Sequence, residues 1–287
     1  MKFLYKIPGY ILLLFGGFCL SWGGFIIRSF EKASVWEILF LRSFFFLIAL
    51  TLFLLFTYKR NTIKIIKDSG FPGLIGGFIL SFSFVAFVVA MNNTTVANVV
   101  FIISTQTMFL AIFGYFYLKE KVSLLGALSI FLAMSGIIIM VGDSISSGSL
   151  FGNLVALAIP INFAILVMII RKNTQLDMVP AIFYSGIFSL IYGFFLTESY
   201  EFTKHDLLMG FFLGVPQLAL SFICITIGSR TVESATVGLL MLMETLCAPI
   251  WVWLFLSEIP PLSVFIGGTV IVSAIILKSF DKKQSKT

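Results

Sequence analysis

Charged side chains are scarce in this sequence, and this scarcity alone excludes whole classes of protein. Asp, Glu, Lys and Arg make up 11% of 287 residues, while 59% are hydrophobic. Soluble domains carry about 25% charged residues, so this composition excludes a soluble globular protein. The single histidine, His205, and three cysteines lack the spacing of a metal site. A Gly-x-x-x-x-Gly-Lys-Ser/Thr sequence is also missing, which excludes an ATP-driven pump within this chain.

Long apolar runs are what the chain has in abundance. A helix needs about 20 mainly apolar residues to cross the hydrocarbon core of a bilayer. Continuous apolar runs predict helices, because the strands of a membrane barrel alternate polar and apolar residues. We therefore predict an all-α integral membrane protein with ten transmembrane helices. The predicted spans are residues 9–27, 36–57, 71–91, 96–118, 122–141, 150–170, 178–197, 206–228, 234–256 and 262–279.

Lysine and arginine residues are distributed unevenly between the two sets of predicted loops. Cytoplasmic loops carry an excess of these residues, and fifteen of them share one side with both chain ends. The other side holds only Arg28, Lys32 and Lys204. We predict a multi-pass protein of the cytoplasmic (inner) membrane with both termini in the cytoplasm. The net charge of +6 then indicates topology and contact with anionic lipid headgroups rather than binding of nucleic acid.

The second half of the chain echoes the first, with residues 9–140 matched by residues 152–278. At an offset of 143, Gly9 and Arg28 fall on Gly152 and Arg171; at an offset of 138, the matches are Ser83/Ser221, Phe84/Phe222, Thr107/Thr245 and Glu120/Glu258. Apolar identities arise easily in such a sequence, whereas matched Gly, Ser, Thr, Arg and Glu residues do not. We predict two five-helix repeats, residues 1–143 and 144–287. Five crossings each would orient them oppositely around a central cavity.

Three short segments connect this architecture to a known family. They are Tyr117-Leu118-Lys119-Glu120-Lys121 after the fourth span, Phe255-Leu256-Ser257-Glu258 after the ninth, and Arg42 early in the second. With them the whole chain resembles the drug/metabolite transporter superfamily, specifically its EamA-type members. The resemblance implies two inverted repeats that enclose a cavity and move small metabolites by alternating access. Ser185 replaces Arg42 at the equivalent position of the second repeat.

Ionisable residues within spans are rare because burying a charge in the bilayer is costly. Glu244, in the middle of the ninth span, has the neutral but isosteric Gln106 as its repeat mate. Glu244 either binds a proton or a cationic amine of the substrate, or it only holds helices together, protonated or paired with Arg42. Arg42 contacts the substrate, reaches the interface, or pairs with Glu31 or Glu37.

Neutral polar and aromatic residues at mid-span depth complete the candidate site. Each of them alone is more often a contact between helices. Asn98 and Gln106 lie eight residues apart, which is about two helical turns on one face. The candidate substrate-binding residues are Ser21, Trp22, Arg42, Ser83, Asn98, Gln106, Asn162, Tyr184, Gln217 and Glu244.

These features favour a secondary active transporter over two other classes. Inverted repeats favour a substrate site near the membrane midplane, and we expect a small polar or amphipathic metabolite there, such as an amino acid or an amine. Protons are the candidate coupling ion, and we expect no cofactor and a monomeric chain. A membrane-embedded enzyme is an alternative without a visible catalytic cluster. A passive channel is the other alternative, and it would conduct without counterflow.

Overall fold

The computed structural model describes residues 2–94, 96–142, 150–256 and 262–280. Within these ranges the chain is almost wholly helical and contains no β-strand. Ten long helices, numbered in chain order, dominate. They are α1 (Gly9–Leu20 and Gly23–Arg28), α2 (Val35–Tyr58), α3 (Gly70–Asn93), α4 (Val96–Ser104 and Gln106–Leu118), α5 (Leu124–Gly142), α6 (Leu150–Lys172), α7 (Val179–Leu196), α8 (Lys204–Phe212, Leu213–Ala219 and Leu220–Gly228), α9 (Ser234–Met241 and Met243–Leu256) and α10 (Leu262–Ser279).

The lengths of these helices confirm the predicted all-α membrane fold. In the described part of the chain, nine helices are long and apolar enough to cross a membrane, and the apolar part of α5, Leu124–Ile139, is shorter. The predicted spans begin and end within two residues of the observed helices. Short helices at Lys2–Lys6 and Thr62–Asp68 lie outside the ten.

Three of the long helices are interrupted near their middle. α1 breaks at Ser21 and Trp22, α4 at Thr105, and α9 at Leu242. The hydroxyl groups of Ser21 and Thr105 each donate to the carbonyl oxygen three residues earlier, at 2.5 and 2.6 Å. Such bonds compete with the regular helical ladder. Leu242 has no hydroxyl group, but its N–H also bonds three residues back, to the carbonyl of Leu239 at 3.2 Å.

The middle of α8 is wound as a π-helix from Leu213 to Ala219. Pro216 lies inside it and has no N–H to donate to the preceding turn. A π-helical turn inserts one residue and frequently marks a functional site. The segment packs closely on α2, because a Cβ atom built on Gly214 would lie 2.6 Å from the carbonyl oxygen of Arg42.

Most of the bundle shares one hydrophobic core, and α5 and α10 form a pair at its side. The main core joins residues of α1 to α4 with residues of α6 to α9. A second cluster joins Ala133 and Ile137 of α5 with Ile271 and Ala274 of α10 and with the α9 break. Small residues permit this approach, since a Cβ atom on Gly136 would lie 2.9 Å from a carbonyl oxygen of α10.

Helix contacts in one half have counterparts in the other half. α3 packs on α6 and α7, while α8, its predicted repeat mate, packs on α1 and α2. α4 contacts α6 as α9 contacts α1, and α2–α7, α4–α9 and α5–α10 join mates directly. These main contacts therefore recur when the halves are exchanged. The opposite orientation of the halves and their boundary at residue 143 stay predictions, and residues 143–149 lie outside the described ranges.

Candidate substrate-binding site

A cavity of about 60 Å³ lies where the irregular segments of four helices converge. Such a volume holds a few water molecules. Its wall includes Leu20 at the end of the first part of α1, Ile103 and Gln106 around the α4 break, Gln217 in the π-helix, and Glu244 after the α9 break. Irregular backbone at membrane depth is tolerated where it is buried in protein or lines a cavity. Discontinuous helices at a substrate site are common in transporters.

The cavity lies between the two halves, and repeat mates from both line it. At the offsets of 143 and 138 residues, its walls contain the pairs Leu20/Phe163, Leu80/Leu218, Phe84/Phe222 and Gln106/Glu244. The rings of Phe84 and Phe222 meet edge to face, with centroids 5.4 Å apart. The two halves therefore contribute equivalent positions to the cavity wall. The clearest difference between them is the Gln106/Glu244 pair, in which only Glu244 is ionisable.

Glu244 occupies the first turn of the second part of α9. Free N–H groups at a helix start favour a negative charge, because the helix dipole is positive there. Gln106 begins the second part of α4 in the same way. The two breaks touch each other, since the hydroxyl groups of Ser104 and Thr245 are 2.7 Å apart. Among the described residues, no side-chain hydrogen bond or ion pair of Glu244 is found, so its carboxylate is free for a ligand.

Arg42 is buried beside the cavity with 1% of its surface exposed. Its Nη2 donates to the carbonyl oxygen of Phe84 at 2.8 Å. Its guanidinium carbon lies 5.1 and 5.6 Å from the ring centroids of Phe84 and Phe87, distances at which a cation is attracted to an aromatic face. Its Nε is buried and has no hydrogen-bond partner.

The alternatives that place Arg42 at the interface are contradicted by this burial. The carboxylate of Glu37 instead accepts hydrogen bonds from Ser34 N at 2.6 Å and from Ser199 Oγ at 2.8 Å. No described ion pair joins Arg42 to Glu31 or to Glu244. The side chain does not reach outward, because it is directed towards Phe84 and Phe87 of α3 and lines the cavity.

Two further predicted residues, Gln217 and Ser83, also line the cavity. Gln217 Nε2 donates to the carbonyl oxygen of Leu20 at 3.2 Å, at the α1 break. Gln217 Oε1 and Ser83 Oγ are buried without a hydrogen-bond partner. Five of the ten predicted residues, Arg42, Ser83, Gln106, Gln217 and Glu244, thus meet at one cavity.

Ser21 and Trp22 lie beside the site, in a contact between α1 and α9. The ring of Trp22 stacks on Trp251 with centroids 3.8 Å apart and an interplanar angle of 21°. Trp251 Nε1 donates to Ser21 Oγ at 2.7 Å. In this arrangement both side chains hold helices together, and neither is among the cavity residues.

Asn98, Asn162 and Tyr184 are not brought to the cavity either. Asn98 Nδ2 donates to Thr94 Oγ1 at 3.1 Å and to Asn153 Oδ1 at 3.3 Å, which joins the start of α4 to the start of α6. Tyr184 is directed towards the carbonyl oxygen of Ile66 at 3.4 Å. Asn162 is partly exposed on α6, next to a cavity residue. The prediction that Asn98 and Gln106 share one helix face is wrong, because α4 is interrupted at Thr105, between them.

Comparison with known proteins identifies the family. The profile of the EamA-like transporter family matches residues 7–142 and again residues 148–280. The chain belongs to this family. It is a multi-pass membrane transporter, as the family and its apolar helices together show.

Relatives of this EamA-family protein agree with the assignment. An uncharacterized transporter of Clostridium kluyveri is 24% identical over 260 residues, which cover 84% of this chain and 83% of that protein. A solved structure, described only as the crystal structure of a protein, has a TM-score of 0.79 at 14% identity. The match covers 94% of this chain and 96% of that one, and it shows a shared fold.

At one end of the EamA-family bundle, an ion pair holds Glu120, which the sequence analysis noted only in a segment that resembles the family. Glu120 and Arg171 approach to 2.5 Å, and Arg171 Nε donates to Glu120 Oε1 at 2.7 Å. The other carboxylate oxygen accepts from Ser234 N at 3.0 Å, and Arg171 also donates to the carbonyl oxygen of Val232. This contact joins α4, α6 and the start of α9. The repeat mate of Glu120, Glu258, lies outside the described residues.

A second polar cluster at that end ties down the amino-terminal segment. The hydroxyl groups of Tyr5 and Tyr58 both donate to Asp177 Oδ2, the first at 2.7 Å. Burial and the Asp177 carboxylate raise the pKa of Tyr5 far above its ordinary value. The Tyr5 hydroxyl therefore remains a proton donor at every physiological pH.

The sequence analysis did not identify the apolar residues that line the cavity. Phe84, Phe87, Phe163 and Phe222 line the cavity. No local sequence feature distinguishes them from the other phenylalanines among the 34 in this chain. The match of Phe84 to Phe222 across the repeat was the one available signal.

Proposed function

We propose that this protein is a secondary active transporter that moves a small polar or amphipathic metabolite, an amino acid or an amine, across the cytoplasmic membrane by alternating access. The observation that carries the proposal is the meeting of four irregular helices at one cavity between matched halves. Because related halves can exchange conformations, the same site can be exposed to either side in turn.

Glu244 is the coupling residue in this proposal. A carboxylate in the first turn of a discontinuous helix, beside a cavity and without a protein partner among the described residues, is able to take up a proton or an ammonium group. Binding one of them excludes the other. Proton movement is thereby linked to substrate movement, in a cytoplasmic membrane with both termini inside.

Counterflow in proteoliposomes tests the transport mechanism. Vesicles loaded with an unlabelled mixture of amino acids and amines are diluted into trace amounts of one radiolabelled member at a time. We expect transient accumulation of at least one labelled compound above equilibrium, with saturable dependence on concentration. Such an overshoot arises because a carrier returns loaded with the unlabelled compound.

The two alternatives give different results in the same experiment. A channel equilibrates the label without overshoot or saturation, and an embedded enzyme converts the label into a new compound that chromatography detects. Empty vesicles and vesicles containing the protein without internal substrate serve as controls. Equilibration without overshoot for every compound would contradict the proposal.

A further inference from the structure

The short helix Thr62–Asp68, called the connector helix below, joins α2 to α3 at one end of the bundle. The chain has a positive φ angle on both sides of it, 52° at Lys59 and 51° at Gly70, so the connector helix continues neither long helix. α2 has 24 residues, which is a length of about 36 Å. This length already exceeds the hydrocarbon core of about 30 Å. The connector helix therefore lies at the level of the lipid headgroups.

One face of the connector helix is attached to the bundle. Thr62 Oγ1 lies 2.8 Å from the carbonyl oxygen of Lys59 and 3.1 Å from that of Leu54, so its hydroxyl group bonds to the end of α2. Ile66 packs against the main core, and its carbonyl oxygen accepts a hydrogen bond from the Tyr184 hydroxyl group of α7 at 3.4 Å. These contacts leave the other face of the helix directed away from the protein.

Four exposed cations lie on the connector helix and on the turn before it. They are Lys59, Arg60, Lys64 and Lys67. Salt bridges occur elsewhere in the described part of the chain, but none involves these four side chains. Asp68 is the only acidic residue between Tyr58 and Gly70. The segment therefore presents an excess of positive charge that the described protein does not neutralise.

Exposed apolar side chains lie next to these cations in the chain. Ile63 of the connector helix is 68% exposed, and Phe71 at the start of α3 is 72% exposed. The exposed apolar surfaces of the long helices begin close by, with Phe56 on α2 and Leu74 on α3. Helices that lie in a membrane interface combine apolar side chains for the acyl region with Lys and Arg for the headgroups. This combination fits a lipid surface better than a soluble acidic partner.

The equivalent connection in the second half shows that the fold does not require these cations. It joins α7 to α8, and residues 197–203 form no helix there. They include Glu198 and Glu201 but no lysine or arginine. Repeat-related connections thus differ in the sign of their charge. The positive charge belongs to one end of the molecule, as expected if that end meets an anionic leaflet.

We infer that the connector helix is a binding site for anionic phospholipid, such as phosphatidylglycerol, in the leaflet at this end of the bundle. The four cations bind the phosphate groups, and Ile63 and Phe71 enter the adjacent acyl region. The predicted topology makes this the cytoplasmic leaflet, whose surface potential is negative. The interaction does not depend on the transported compound, so it is tested separately from the proposed transport function.

Native mass spectrometry of the delipidated protein in detergent measures this binding. Phosphatidylglycerol and phosphatidylcholine with identical acyl chains are titrated in turn. The test variant replaces three cations of the connector segment: Arg60→Gln, Lys64→Gln and Lys67→Gln. The control variant replaces three exposed cations at the opposite end of α1, α2 and α8: Arg28→Gln, Lys32→Gln and Lys204→Gln.

We expect wild type and the control variant to bind phosphatidylglycerol more tightly than phosphatidylcholine. A Lys or Arg near an anionic surface contributes about fivefold to affinity. The test variant should therefore lose about 100-fold for phosphatidylglycerol and change little for phosphatidylcholine. Ile63→Ser should weaken both lipids by a similar factor, because it removes apolar contact and no charge. Lys64→Gln alone should lose about fivefold, and it serves as the test protein if the triple variant fails to fold.

Several results would overturn the inference. They are equal binding of the two lipids by wild type, an unchanged preference for phosphatidylglycerol in the test variant, an equal loss in the control variant, and no effect of Ile63→Ser on either lipid. Displacement of phosphatidylglycerol by millimolar inorganic phosphate would identify a site for free anions instead. Binding of poly-glutamate in place of the lipid would assign the segment to an acidic protein.

Discussion

Glutamine in place of Glu244 is expected to abolish proton-driven accumulation of substrate and to preserve exchange of substrate for substrate. The amide has the shape of the carboxylate but cannot take up and release a proton. Gln106, the repeat mate of Glu244, already places this side chain in the wall of the same cavity. The variant should therefore fold normally, lose coupling and keep exchange, but only at a higher substrate concentration, because the amide lacks the charge that attracts an ammonium group.

Uptake into proteoliposomes measures this effect, with a pH gradient as the only driving force and counterflow without a gradient as the reference. Glu198→Gln is the matched control, because it removes an exposed carboxylate between α7 and α8. Accumulation by Glu244→Gln equal to wild type at the same gradient would show that another group carries the proton. Loss of exchange even at high substrate concentration would contradict the prediction that exchange survives without the carboxylate charge.

The second large effect is expected at the ion pair of Glu120 and Arg171. Both side chains are mostly buried, and each keeps a further bond to backbone at the α8–α9 connection. Removing one partner leaves the other charged and desolvated, so Glu120→Gln or Arg171→Gln should each lower stability by about 3 kcal/mol. The double variant should lose less than the sum of the two, because the stranded charge is gone.

Thermal unfolding of the purified variants in detergent compares these losses. Arg28→Gln is the control, since the repeat pairs Arg28 with Arg171 but its side chain is exposed. Exposed charges contribute little to stability, so this variant should unfold at the wild-type temperature. If the losses of the two single variants simply add in the double variant, the pair does not act as one unit at this end of the bundle.

The span boundaries were predictable because the bilayer imposes a simple length requirement. Each span needs about 20 apolar residues, and charged or polar residues flank the runs, as Lys6 and Arg28 do for α1. Gln106 and Glu244 were also predictable as candidates for one site, since the repeat places them at equivalent positions, and both line the cavity.

The helix breaks were not predictable from the sequence. Several cavity residues lie next to them, so their positions were not predictable either. Thr105 and Leu242 are neither proline nor glycine, the usual sequence signs of an interruption. Their breaks occur where α4 and α9 contact each other, which no local pattern records. The burial of Arg42 was not predictable for the same reason. Its position along α2 indicates its depth in the membrane, but its burial depends on how the other helices, including α3, pack against it.

The central claim is that one cavity between the two halves is exposed to each side of the membrane in turn. Ser83 lines the cavity, and its hydroxyl group has no hydrogen-bond partner. The native cysteines Cys19, Cys224 and Cys247, all buried, are first replaced by alanine. Ser83→Cys in that background, in oriented vesicles, is treated with a membrane-impermeant thiol reagent from one side or the other. The account predicts labelling from both sides, slowed by bound substrate. Labelling from one side only, in protein that still performs counterflow, would contradict it.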